Sequence, residues 1–166
     1  MKSTKQDSGF TLIEVLAVVI IIGVLGAVVI PKVASSTANA RRKADVATAH
    51  QVKAALDRYQ AETGIYPKTS ELTESSGTVE SKALIPKYIS NLDKSTTQQV
   101  VPDGKQGFGV DSLITDTEDA TQLVIPDITK APPTNSIMIY LTTDGSVAEV
   151  RAFDESLTKV LWSSAN

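Results

Sequence analysis

The feature that most constrains this chain is an apolar block near its N-terminus. Between Phe10 and Ile30, 17 of 21 positions are Ala, Val, Ile, Leu or Phe. As a helix the block is about 31 Å long at 1.5 Å per residue, the thickness of a bilayer's hydrocarbon core. A secretory signal has a shorter apolar region, about 7–15 residues, followed by a small-residue cleavage site. Here Pro31-Lys32 stands where such a site belongs, and Val33-Ala34-Ser35 is a poor substitute. A retained membrane helix is the better reading.

The rest of the chain is an ordinary, slightly polar domain. It holds no cysteine, so there is no disulfide, thiolate metal site or cysteine nucleophile. The single histidine, His50, excludes a multi-histidine metal centre and has no serine arrangement that would make it a catalytic base. A surface or packing role is expected for it. Residues 64 to 166 carry eight basic and fourteen acidic side chains, a balance that does not attract nucleic acid. No phosphate loop, nucleophile elbow or zinc motif is present, and no cofactor or enzymatic activity is expected. Asp111, Asp116, Glu118 and Asp119 form an acidic loop, but their order does not match a helix-loop-helix calcium loop. A solvated surface loop is the expectation there.

Inside the block the exceptions are Thr11, Glu14, Gly23 and Gly26. A carboxylate in hydrocarbon is costly unless paired or functional. The nearest bases are Lys5 before Glu14 and Lys32 after it. A cut just before Phe10 would create an α-amino group one helical turn away, and two charges that are costly alone could then pair.

Gly9-Phe10-Thr11-Leu12-Ile13-Glu14 and the run to Pro31 closely resemble the class III signal of type IV pilins and pseudopilins. The resemblance covers Met1 to about Pro31. It implies cleavage between Gly9 and Phe10 by a prepilin peptidase and N-methylation of Phe10. Glu14 falls on the family's assembly glutamate, which registers a subunit against the Phe10 amine of a neighbour. Gly23, Gly26 and Pro31 mark a segment that can lose helix in filaments, since proline removes a donor and crowds the preceding turn. The implied partners are further copies in a helical homopolymer, the peptidase, an assembly platform with minor pilins, and the membrane before assembly. The implied location is a single-pass membrane precursor and then a surface filament. Flanking charge runs against that orientation: Lys2 and Lys5 precede the span, while Lys32, Arg41, Arg42 and Lys43 follow it. The specificity of the motif outweighs this.

Beyond Pro31 the helical signal continues. Val46, Ala49, Val52, Leu56 and Tyr59 form one apolar stripe flanked by Arg41, Arg42, Lys43, Asp45, Lys53, Asp57 and Arg58. For the Arg41-Arg42-Lys43 cluster, a solvated face or a subunit contact is expected ahead of nucleic acid or lipid. Gly64 is a helix stop, so one helix is expected from Phe10 to Thr63. Gly64-Ile65-Tyr66-Pro67 and Leu84-Ile85-Pro86-Lys87-Tyr88-Ile89 resemble turns that follow the helix in many pseudopilins and Gram-positive pilins. Tyr66 and Tyr88 can lay their rings over the stripe. Gln98–Val101, Gln122–Ile125, Ile137–Thr142 and Val147–Phe153 read as strands, with Asp144-Gly145 as a hairpin turn. Thr158–Trp162 reads as a last strand or short helix, and Ser70–Ser76 and Lys130–Ser136 as exposed loops.

The expected fold is α+β: a long helix, membrane-spanning then amphipathic, on an antiparallel sheet of three to five strands. The expected layout is a leader at 1–9, an assembly helix at 10–31, its amphipathic half at 32–63, a connection at 64–97 and a sheet head at 98–166. The expected function is a type IV pilus subunit. A major pseudopilin of secretion or DNA uptake is the alternative, although the Asp-Pro-Trp-Gly segment of the secretion type is absent. The lack of cysteine departs from disulfide-closed Gram-negative pilins and fits a Gram-positive type or the pseudopilin branch. From another class, the alternative is an anchored extracytoplasmic binding domain that never polymerises.

Overall fold

A computed structural model describes residues 10–115 and 123–165. Gly9, Asp116, Glu118, Asp119 and Gln122 lie outside them. The chain divides into two compact units, one up to Asn39 and one from Ala40 onward.

Helix α1 runs Leu12–Thr63 and contains Pro31. In the first unit its residues are exposed, with Leu12, Val19, Ile22 and Ile30 each more than half accessible. In the second unit the stripe takes over: Ala49, Val52 and Leu56 are buried, with Val46 and Tyr59 packed beside them. The helix ends as expected. Gly64 takes φ +86° and donates its N–H to the Gln60 carbonyl at 2.8 Å, a left-handed exit that glycine adopts without a Cβ penalty.

After α1 come β1 (Thr73–Ser75), β2 (Thr78–Glu80), β3 (Phe108–Ser112), β4 (Ile114–Thr115), β5 (Leu123–Val124), β6 (Ile137–Leu141), β7 (Ala148–Phe153) and β8 (Val160–Ser163). The main sheet has four strands in the order β3-β6-β7-β8. The β6–β7 and β7–β8 pairs are antiparallel, but β3 joins β6 in parallel. Hairpin signals could not reveal that pair, because a long crossover separates its strands. The α1 stripe packs on one face of this sheet, against Phe108, Ile137, Ile139, Leu141, Val150 and Ala152. A second cluster of Met138, Tyr140 and Phe153 gathers Val101, Leu157, Leu113, Ile125 and Ile128. All five β6 residues are therefore buried.

Three local expectations are corrected. Gln98–Val101 forms no strand, because its first two N–H groups go to the helix. Gln98 and Gln99 donate their backbone N–H to the Asp45 carboxylate at 2.6 and 3.2 Å, and the Gln99 side-chain amide adds a bond at 2.9 Å. Asp45 is fully buried by this, not a flanking surface residue. The Lys130–Ser136 loop is not exposed throughout: the Ser136 hydroxyl donates to the Gly107 carbonyl at 3.1 Å and Ser136 is fully buried. Ser70–Ser76 contains β1, which pairs with β2 through Ser76-Gly77, both at positive φ. A Ser-Gly pair between short polar strands is the signal that would have found this hairpin.

Candidate assembly site

The functional residues expected from the sequence lie at the start of α1. Thr11 immediately precedes the helix, and its backbone N–H and its hydroxyl both donate to Glu14 Oε2 at 2.8 Å. Glu14 returns its own N–H to the Thr11 hydroxyl oxygen at 3.4 Å. This reciprocal arrangement satisfies donors that the first helical turn leaves unpaired. The Thr-x-x-Glu spacing is visible in the sequence, where Thr11 stands out only as a polar exception in the apolar block. Among the described residues, Glu14 Oε1 has no hydrogen-bond partner, so half of the carboxylate is available to another donor. Phe10 beside it is 80% exposed.

Beyond Thr11, the helix around this carboxylate offers apolar surface. Its most apolar stretch has no residue buried within the chain. This is the helix long and apolar enough to cross a membrane. Such a face needs lipid or other helices against it. Nothing lies within 4 Å of a Cβ built on Gly23 or Gly26, so neither glycine is required by packing within its own chain.

The other singled-out residues are scattered. Arg42 makes a two-pronged ion pair with Glu155 in the β7–β8 turn, with Nε to Oε2 at 2.7 Å. The Arg42 hydrogen bonds hold the Glu155 carboxyl below its ordinary value. One member of the basic triplet is thus used within the chain, while Arg41 and Lys43 stay exposed. His50 is exposed and stacks on Trp162 with ring centroids 4.1 Å apart. Tyr66 and Tyr88 both reach the helix. The Tyr66 hydroxyl donates to Asp57 at 3.0 Å and that of Tyr88 to Glu62 at 2.9 Å. Lys53 and Lys87 lie over these two rings and pair with the same acids. Asp111 is exposed and accepts from the Ser112 N–H at 2.7 Å. Among the described residues no cluster of three or more metal-capable side chains occurs.

The family model for the prokaryotic N-terminal methylation motif matches residues 4–30, the segment that holds Phe10, Thr11 and Glu14. Similar proteins include the type II secretion system core protein G of Pseudomonas aeruginosa, 40% identical over 67 residues. In these matched stretches the chain is similar to type IV pilins and pseudopilins. Its match to that core protein G covers 40% of this chain and 47% of the relative. Core protein G of Escherichia coli (strain K12) is 35% identical over 94 residues, 57% of this chain and 63% of the relative. The type IV major pilin protein PilE of Neisseria gonorrhoeae is 34% identical over 86 residues, 52% of this chain and 50% of the relative. The chain thus spans about half to 63% of these relatives. No solved structure matches it significantly.

Proposed function

We propose that this chain is a structural, non-enzymatic subunit of a type IV filament. It is made as a membrane precursor, cut between Gly9 and Phe10 by a prepilin peptidase and N-methylated on Phe10. It then polymerises on the cell surface through its N-terminal helix, with an assembly platform and minor subunits as partners. The observation that carries this reading is an apolar helical segment, exposed along its length, that starts with one half-available carboxylate inside the methylation motif. Each helix leaves the bilayer because neighbouring helices replace lipid around it. Glu14 Oε1 takes the amine of a neighbour's Phe10, while Oε2 keeps its bonds to Thr11. Gly23, Gly26 and Pro31 let the segment between them relax as helices crowd together. Residues 1–9 are then the leader, 10–31 the assembly helix, and 32–63, 64–97 and 98–166 the stalk, connection and head.

A second reading, a pseudopilus in place of a long pilus, is favoured by the relatives named core protein G of type II secretion. A monomeric anchored binding domain has no such support. Intact-mass and N-terminal analysis of protein sheared from cells tests the proposal. The expected species begins at N-methyl-Phe10 and comes from filaments; a monomer that retains Met1 would overturn it. Long surface filaments distinguish the pilus from the pseudopilus.

A further inference from the structure

The cations that follow the apolar block, which oppose the orientation its motif implies, have two different fates in the structure. Arg42 is taken by Glu155, while Arg41 and Lys43 are exposed and have no ion-pair partner among the described residues. Both stand in the first turn of α1 within the unit from Ala40 onward. That unit is acidic overall, with thirteen Lys and Arg against seventeen Asp and Glu. The acids nearest these cations are nevertheless withdrawn. Asp45 is fully buried on the N–H groups of Gln98 and Gln99, and Glu155 is neutralised by Arg42.

The segment that Asp45 holds brings apolar surface to the same end. Val100 directly follows Gln99 and is 65% exposed, more than any other large apolar side chain among the described residues of the unit. Lys105 is exposed further along and offsets the exposed Asp103. Cations around an exposed apolar side chain suit an anionic surface with hydrocarbon beneath it. Only ten residues lie between Ile30 and Arg41, so the chain itself holds this end near whatever surrounds the block. As helix the step is about 16 Å, which the headgroup layer and one screening length of about 8–10 Å together span. We propose that this end of the unit lies on the anionic headgroups of the bilayer that holds the precursor. Arg41 and Lys43 meet the phosphates, and Val100 turns to the layer beneath them. This rests on the membrane-precursor reading above and gives the cations after the span a role there.

The absence of native cysteine allows a direct test. The full chain with Val100→Cys carries a thiol-linked fluorophore and is reconstituted in phosphatidylcholine vesicles with and without phosphatidylglycerol, each containing a headgroup-spin-labelled lipid. Thr143→Cys is the reference, exposed in the β6–β7 turn that meets Tyr66 just past the far end of α1. Quenching of the Val100→Cys probe is expected with phosphatidylglycerol and should fall in neutral vesicles and at high salt. The Thr143→Cys probe should stay unquenched throughout. Each cation favours the contact about fivefold, so Arg41→Gln with Lys43→Gln should weaken it about thirtyfold. No quenching of the Val100→Cys probe in chains that float with the vesicles would overturn the proposal, as would equal quenching with and without phosphatidylglycerol. If the double variant lost filaments with its quenching unchanged, the two cations would belong to a subunit contact instead, and the proposal would fall. A chain that does not float with vesicles at all is a separate result, which removes the membrane reading and this contact with it.

Discussion

The two halves of α1 share one helix and almost nothing else. Up to Asn39 its large side chains are exposed and apolar; from Ala40 its apolar residues form one stripe buried on a sheet. A single-sided stripe is the sign of a helix that completes a fold, and all-round apolarity of one that is finished by something outside the chain. The first half should therefore govern assembly and the second should govern stability. Glu14→Gln tests this separation most severely. On the proposed pairing, cleavage should proceed because the Gly9–Phe10 junction is unchanged, while a neighbour's amine would lose its carboxylate in an apolar filament core. Few or short filaments are expected, with normal amounts of cleaved subunit in the membrane by immunoblot. Filaments of normal number and length would remove the pairing role of Glu14.

Leu56→Ala against Val19→Ala makes the same comparison in stability. Leu56 is fully buried between helix and sheet, and its truncation should destabilise the unit from Ala40 onward by about 2–5 kcal/mol. Val19 is 60% exposed and belongs to the other unit. Denaturation midpoints with Val19→Ala should match those of the unaltered chain. A shift comparable to that of Leu56→Ala would show that the halves are not separable.

A smaller loss is expected where the backbone itself is the core. Gly107 has φ +93°, and a Cβ there would stand 2.1 Å from the Gly77 carbonyl oxygen. That oxygen already accepts the Phe108 N–H at 2.9 Å, which fixes the β1–β2 turn against β3. Gly107→Ala should cost about 1–3 kcal/mol through strain at that φ, increased by displacement of the Gly77 turn from the new Cβ. The loss should appear in thermal melts, while leader cleavage proceeds as before.

How much of this was legible in the residues follows from how local each signal is. The block from Phe10 to Ile30, the stripe from Val46 to Tyr59 and the stop at Gly64 are periodic or punctual, and each appears in the structure. Asp144-Gly145 is a two-residue signal, and β6 and β7 flank it as expected. Asp45 was not legible, because its partners Gln98 and Gln99 are more than fifty residues away. The same distance problem hid β3, whose parallel partner β6 follows a long crossover and whose Gly109 interrupts the strand pattern. At the candidate assembly site Phe10 and Glu14 stand out by motif, whereas the bond between Thr11 and Glu14 needs geometry.

The mildest test concerns pH and confines itself to the second unit. The Asp144 carboxyl in the β6–β7 turn is held down at about 2. Its causes are the Ser146 N–H and the hydroxyls of Thr142 and Ser146, which all favour the charged form. In the unfolded chain the group titrates near the ordinary aspartate value of about 3.9. Between these values the unfolded state binds more protons than the folded one, so stability rises with pH across that interval. The contribution is therefore complete above pH 4, declines as pH falls, and is gone below pH 2. Asp144→Asn cannot titrate and should flatten part of the acid limb of a stability-against-pH curve, with little change at pH 7. Glu155, held down by Arg42, adds to the same limb from the other hairpin, so the residual slope should shrink again in Glu155→Gln. Both effects belong to hairpin turns of the sheet unit. If Asp144→Asn left the acid limb unchanged, the turn would not be contributing through its carboxylate, and its left-handed Gly145 would be the feature that holds the hairpin.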